Sequence, residues 1–246
     1  MQITDIHTHF GVDPGSDLDL SLDNLLSILR RHGIRQALTY ALSGIQFDHA
    51  EGNEATWAAC QAHPELVPIA TVDPRRFVGM EAEIARCAEQ GFAGYRFFPQ
   101  RQGWAVDGQL CWRLLRAVAQ TGKPAIVSVS GAGDPTRLLR AAEGLDLPII
   151  LSGTSYATVG EALAVLQEAP NLALEMHMVA LPFQVEEMAA AVGAERLLFG
   201  SLTPAHYTRP TWAMIEVSEL SDADKALILG GNARRIFDLP VPEAQP

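Results

Sequence analysis

Two histidines separated by one residue, His7 and His9, end the alternating segment Ile3-Thr4-Asp5-Ile6-His7-Thr8-His9 near the start of the chain. Residues two apart in a strand point to the same face. Both imidazoles therefore project together, as two ligands of one divalent ion must, and imidazole nitrogen suits zinc. A second alternating run, Leu172-Ala173-Leu174-Glu175-Met176-His177, sets its leucines toward a helix layer and turns Glu175 and His177 to the opposite side. Those two are candidates for proton transfer, or for completing an ion site with the first pair. The alternative is a Glu175 paired with a cation and a His177 hydrogen-bonded in a pocket. Arg96, in Gly94-Tyr95-Arg96-Phe97, can grip a substrate carboxylate with two parallel N–H groups. A buried ion pair with Asp73 or Glu175 would use the same fork. Trp104, in the loop that follows, is placed to act as an aromatic lid over a substrate.

Such residues act together only if strand ends converge. Short apolar runs alternate with amphipathic segments throughout. The expected strands are Ile3–His7, Gln36–Tyr40, Val67–Val72, Gly94–Phe97, Ala125–Val129, Ile149–Leu151, Leu172–Met176 and Leu197–Gly200. Helical patterns lie between them, beginning with Leu22–Arg31, whose Leu22, Leu25, Leu26 and Leu29 mark one apolar face. Ser21 is placed to cap that helix and Gly33 to end it. Eight even strand–helix alternations, without a Gly-x-Gly-x-x-Gly turn after the first strand, predict an α/β fold. It is a single-domain (β/α)8 TIM barrel over residues 1–246, with its chemistry at the carboxyl ends of the strands.

Composition removes several function classes. A net charge of −11, with no run of Lys and Arg, argues against a nucleic-acid partner. Cys60, Cys87 and Cys111 are too scattered for a zinc motif or a disulfide framework, and read as buried thiols. The chain starts on a strand, not on a basic and then apolar leader, and no apolar run is long enough to span a bilayer. The expectation is a cytoplasmic protein without membrane contact, acting on a small molecule and able to form a homodimer. The other histidines have plainer accounts. His32 and His63 end helices, His49 is expected in the loop after the second strand, over the pocket, and His206 follows the eighth strand. Asn232 is expected to be a helix N-cap.

In this setting the chain resembles the amidohydrolase superfamily, in its amidohydrolase-2 branch of metal-dependent hydrolases and decarboxylases. Asp5-Ile6-His7-Thr8-His9-Phe10-Gly11 looks like that branch's first-strand motif. Asn53, Ala62-His63-Pro64-Glu65 and Ile69-Ala70-Thr71-Val72-Asp73-Pro74 are similar to its second helix and third strand. Gly91-Phe92-Ala93-Gly94-Tyr95-Arg96-Phe97-Phe98-Pro99 resembles its fourth strand, and Leu198-Phe199-Gly200-Ser201 its eighth. Gly230-Gly231-Asn232-Ala233-Arg234-Arg235-Ile236-Phe237 is similar to its closing helix. The resemblance implies one divalent ion, zinc, where any ion is held, with His7 and His9 as ligands. It also calls for a histidine on the fifth strand, a histidine on the sixth and a proton-accepting aspartate on the eighth. Here those positions carry Ser128, Ser152 or Gly153, and Leu202. A serine hydroxyl is a poor zinc ligand and leucine is no base. The expected protein is therefore an amidohydrolase-related hydrolase with a reduced or remodelled metal site. Its opposing class is a non-catalytic barrel that binds a ligand or partner without turnover.

Overall fold

Period-two alternation explains the layers of the barrel. In the computed structural model, which describes residues 2–177, 179 and 184–242, eight strands follow one another in spatial order. They are β1 (Thr4–Phe10), β2 (Gln36–Ala41), β3 (Leu66–Thr71), β4 (Gly94–Phe97), β5 (Ala125–Ser128), β6 (Ile149–Ser152), β7 (Leu172–Glu175) and β8 (Leu197–Leu198). Every neighbouring pair is parallel. The ring closes through Ile6 N–H to Phe199 O (3.1 Å), His9 N–H to Thr203 O (3.1 Å) and a parallel bridge between Thr8 and Thr203. The protein is a (β/α)8 TIM barrel. Among the described residues no helix is long and apolar enough to cross a membrane.

One residue set of each strand faces outward into the large core shared with the helices, among them Tyr95, Phe97, Val127, Leu151 and Leu174. The alternate set builds the interior. Ile6, Leu38, Ile69, Ile126, Ile150, Ala173 and Leu198 form an apolar layer, sealed from below by Ala233 and Phe237 of the closing helix. Gly94 has no side chain because a Cβ there would press on Pro124 O and the Phe237 ring. Two residues further along the strands, the same inward set turns polar: Arg96, Ser128, Ser152 and Glu175. The functional layer is thus the next step of the alternation that packs the core.

The first helix follows its sequence signals. Ser21 accepts from Asn24 N–H, and Gly33 ends the helix at a φ of 66°, where a Cβ is disfavoured. Asn232 has another role than the expected cap. Its buried amide donates to Ala194 O and Leu197 O, 2.8 Å each, tying the closing helix to the start of β8. Asn53 works similarly at β3, exchanging hydrogen bonds with the backbone of Thr71 and donating to Glu83.

Candidate active site

A register shift in β1 builds the first part of the site. Asp5 pairs with Ala37 but Thr8 with Thr39, so β1 holds an extra residue between them. This bulge lets Ile6 point into the apolar layer and still brings His7 and His9 to the mouth, a common use of bulges beside functional sites. Asp5 holds the distortion in place. Its carboxylate accepts from His7 N–H and Ser201 N–H (3.0 Å each) and from the Ser201 hydroxyl (2.5 Å). Burial pushes the Asp5 carboxyl up to about 7 against those donors.

The mouth opens above this layer as a cavity of about 250 Å3, lined by His7, His9, Tyr40, Phe98, Arg101, Ser128, Ser152, His177 and Leu202 among others. The structure therefore brings His7, His9 and His177 to one cavity. Glu175 lies just beneath, fully buried, with Oε1 at 2.7 Å from the Nδ1 atoms of both His7 and His177. The contact with His7 has hydrogen-bond geometry, whereas the His177 Nδ1 lacks it. Leu174 and Met176 pack outward, as the alternation required.

Arg96 is the residue that organises this cluster. It is 1% exposed and is not among the residues that line the cavity, where its strand-end position had suggested a substrate clamp. Period two on β4 drives it into the barrel interior, where an unpaired guanidinium could not stay. It crosses the barrel instead. Nη1 donates to Ile6 O at 3.1 Å. Nη2 lies 2.7 Å from Glu175 Oε2, 2.5 Å from Ser152 Oγ and 2.7 Å from His7 Nδ1.

Hydrogen counting assigns the protons. Nη2 has two hydrogens and three neighbours. Glu175, as the anion, takes one, and Ser152 takes the other. His7 Nδ1 then keeps its own hydrogen for Glu175 Oε1, which leaves His7 Nε2 as a bare lone pair. That atom is buried and has no hydrogen-bond partner among the described residues. Burial, and next the Arg96 charge, hold the His7 imidazole well below its usual range, so the ring is neutral at pH 7. Burial acts likewise on His9, lowered to about 3. Burial alone would raise the Glu175 carboxyl, but the neighbouring His177, His7 and Arg96 outweigh it and keep the group ionised.

His7, Glu175 and His177 can each bring one donor atom within 4.8 Å of the others, the sole such cluster of His, Cys, Asp and Glu among the described residues. Ser128 and Leu202 also line the cavity, and Leu202 adopts a left-handed φ of 60°, a conformation costly for a leucine. Two expected positions differ. Trp104 is 8% exposed and packed in the outer core, its Nε1 bonded to Gln102 at 3.0 Å, so it is no lid. The turn at Pro99–Gln102 folds the chain back and carries the indole inward. His49 starts a helix and accepts from Asp73 N–H at 3.3 Å, away from the cavity. Sequence reasoning passed over Arg101, which lines the cavity and bonds Asp13 across the mouth at 2.7 Å. Its only signal was a basic residue in a strand-to-helix loop.

Gly200 shows how tightly Glu175 is fitted. A Cβ at that position would overlap the Glu175 carboxylate. Gly200→Ala should therefore displace Glu175 and cost about 1–3 kcal/mol, the range for overpacking. Thermal melting checks this, and an unchanged melting temperature would mean Glu175 has room to move.

Comparisons with known proteins accord with the barrel fold. A family model described as amidohydrolase matches residues 4–239. No curated protein sequence matches the chain. Among solved structures, 2,6-dihydroxybenzoate decarboxylase from Rhizobium is similar at 15% identity and a TM-score of 0.79, over 97% of this chain and 99% of that one. A dihydroxybenzoic acid decarboxylase from Polaromonas sp. JS666, with bound manganese and the inhibitor 2-nitroresorcinol, gives 16% and 0.78 over 97% of both chains. An amidohydrolase described as putative from Staphylococcus aureus gives 12% and 0.78, over 97% and 100%. At such identities the likeness establishes the fold.

Proposed function

Because the chain belongs to the amidohydrolase family, we propose that it is a hydrolase of small molecules working at the carboxyl-end mouth of its barrel, with an imidazole as its base. The observation that carries this is the Glu175–His7 contact of 2.7 Å, which leaves the buried Nε2 beside the cavity without a partner among the described residues. A carboxylate that fixes one ring nitrogen and turns the other toward substrate is the general-base arrangement of hydrolytic enzymes. In this reading His7 Nε2 takes the proton of an attacking water. His177, lining the same cavity, gives a proton to the leaving group. Arg101 is the cation on the cavity wall and recognises an acidic group of the substrate, displacing Asp13. A cavity of about 250 Å3 suits a compact acyl compound with an apolar side against Tyr40, Phe98 and Leu202.

Manganese in a structural relative, and zinc from the first-strand histidines, raise the question of a metal. The donor set does not fit one. Glu175 is the only carboxylate of the cluster, and Arg96 already holds one of its oxygens while His7 holds the other. A permanent cation lies 2.7 Å from His7 Nδ1. His7, His9 and His177 remain as imidazoles, with the Arg96 guanidinium against His7 and no carboxylate of the cluster left free to balance a dication.

Hydrolysis of a panel of small esters, lactones and amides, with chelator present, tests the proposal. Turnover should survive the chelator. His7→Asn keeps a donor toward Glu175 but removes Nε2, and should lower kcat by about 10²–10⁴-fold. Activity lost to chelator and restored by manganese would refute the imidazole base. The opposing reading, a barrel that binds without turnover, draws support from Leu202 lining the cavity where the family resemblance calls for an aspartate. A ligand that raises the melting temperature but is never consumed would favour it.

A further inference from the structure

We propose that Arg96 is the resident cation of this site, its guanidinium filling the electrostatic place of a divalent ion, so that removing it uncovers a metal site on His7, Glu175 and His177. Three observations converge. First, the one donor cluster with metal-binding spacing among the described residues is the cluster Arg96 enters, at 2.7 Å from both Glu175 Oε2 and His7 Nδ1. Second, the charges close without an ion. A guanidinium stays protonated at any relevant pH, and it neutralises Glu175, a carboxylate 0% exposed to water. A dication added within a few ångströms of that charge would be opposed by it with little solvent screening. Third, Arg96 does a bound ion's mechanical work. Rooted on β4, it bonds groups on β1, β6 and β7, cross-linking strands from several sides of the barrel.

This deepens the metal-free reading above and rests on it only for the balance of charge. Its test needs no turnover, so failure to find a substrate leaves it standing. Purified wild type, Arg96→Met and the double variant Arg96→Met/Glu175→Gln are dialysed against chelator, then equilibrated with zinc or manganese chloride. Bound metal is measured by elemental analysis, and melting temperatures are recorded with and without the ion.

Wild type should retain no stoichiometric ion and show no zinc-dependent rise in melting temperature. Arg96→Met, with Glu175 released, should melt lower without metal, bind about one zinc per chain and recover part of the loss. The double variant should lose that binding by about tenfold or more in Kd. A stoichiometric zinc or manganese ion kept by wild type overturns the proposal, and this arm decides even where a variant fails to fold. A folded Arg96→Met that gains no ion also overturns it.

Discussion

Glu175→Ala should destabilise the protein by about 3–5 kcal/mol, because it strips a buried guanidinium of the carboxylate that pairs with it. Arg96 is 1% exposed and its Nη2 donates to Glu175 Oε2, so water cannot replace the lost partner. The Nδ1 hydrogen of His7 loses its acceptor at the same time. For a chain of 246 residues, that cost corresponds to a fall in melting temperature of roughly 10 °C. Glu175→Gln separates charge from shape. The amide oxygen can still meet either Arg96 or His7, but no longer balances the guanidinium, so an intermediate loss is expected. Calorimetric melts of the three proteins measure the order wild type, Gln, Ala. A Glu175→Ala protein as stable as wild type would mean that Arg96 has other means of solvation, and both the charge balance and the base orientation would fall with it.

The sequence revealed the barrel because its signals are local and repeated. Alternation within each strand also placed Glu175 correctly: with Leu174 and Met176 outward, the carboxylate had to lie inside. The pairing of His7 and His9 was likewise visible, but its mechanism was not. A simple alternation that puts Ile6 in the interior sends His7 out, and only the bulge between Asp5 and Thr8 reconciles them. Bulges leave little trace in residue type, since the extra residue is ordinary. Arg96 offered two readings, a substrate clamp and an ion pair, and the buried contact with Glu175 is the second. That pairing depends on Ser152, Glu175 and Ile6 meeting across the barrel, a contact among residues up to 90 positions apart. Trp104 misled for a related reason. Loops after strands usually face the mouth, but a short helical turn at Pro99–Gln102 returned this one to the core.

Phe237→Ala should cost about 3–5 kcal/mol, the range for removing a buried phenylalanine, while leaving catalysis nearly intact. The ring is 3% exposed and seals the apolar interior layer beside Ile6, Ile126 and Ile150. It also packs against Gly94, whose missing side chain admits it, so the vacated space has few groups able to collapse into it. Arg96, Ser128, Ser152 and Glu175 each lie two residues further along their strands than the inward positions of the layer below, roughly 6–7 Å above. The apolar layer thus stands between the cavity left by Phe237 and the histidines. This makes Phe237→Ala the matched control for Glu175→Ala: similar loss of stability, opposite expectation for chemistry. Assayed well below both melting temperatures, Phe237→Ala should keep kcat within a few-fold of wild type, whereas Glu175→Ala should lose it by about 10²-fold or more. Parallel losses of kcat in the two variants would show that turnover follows global stability, and would remove Glu175 from any specific part in orienting His7.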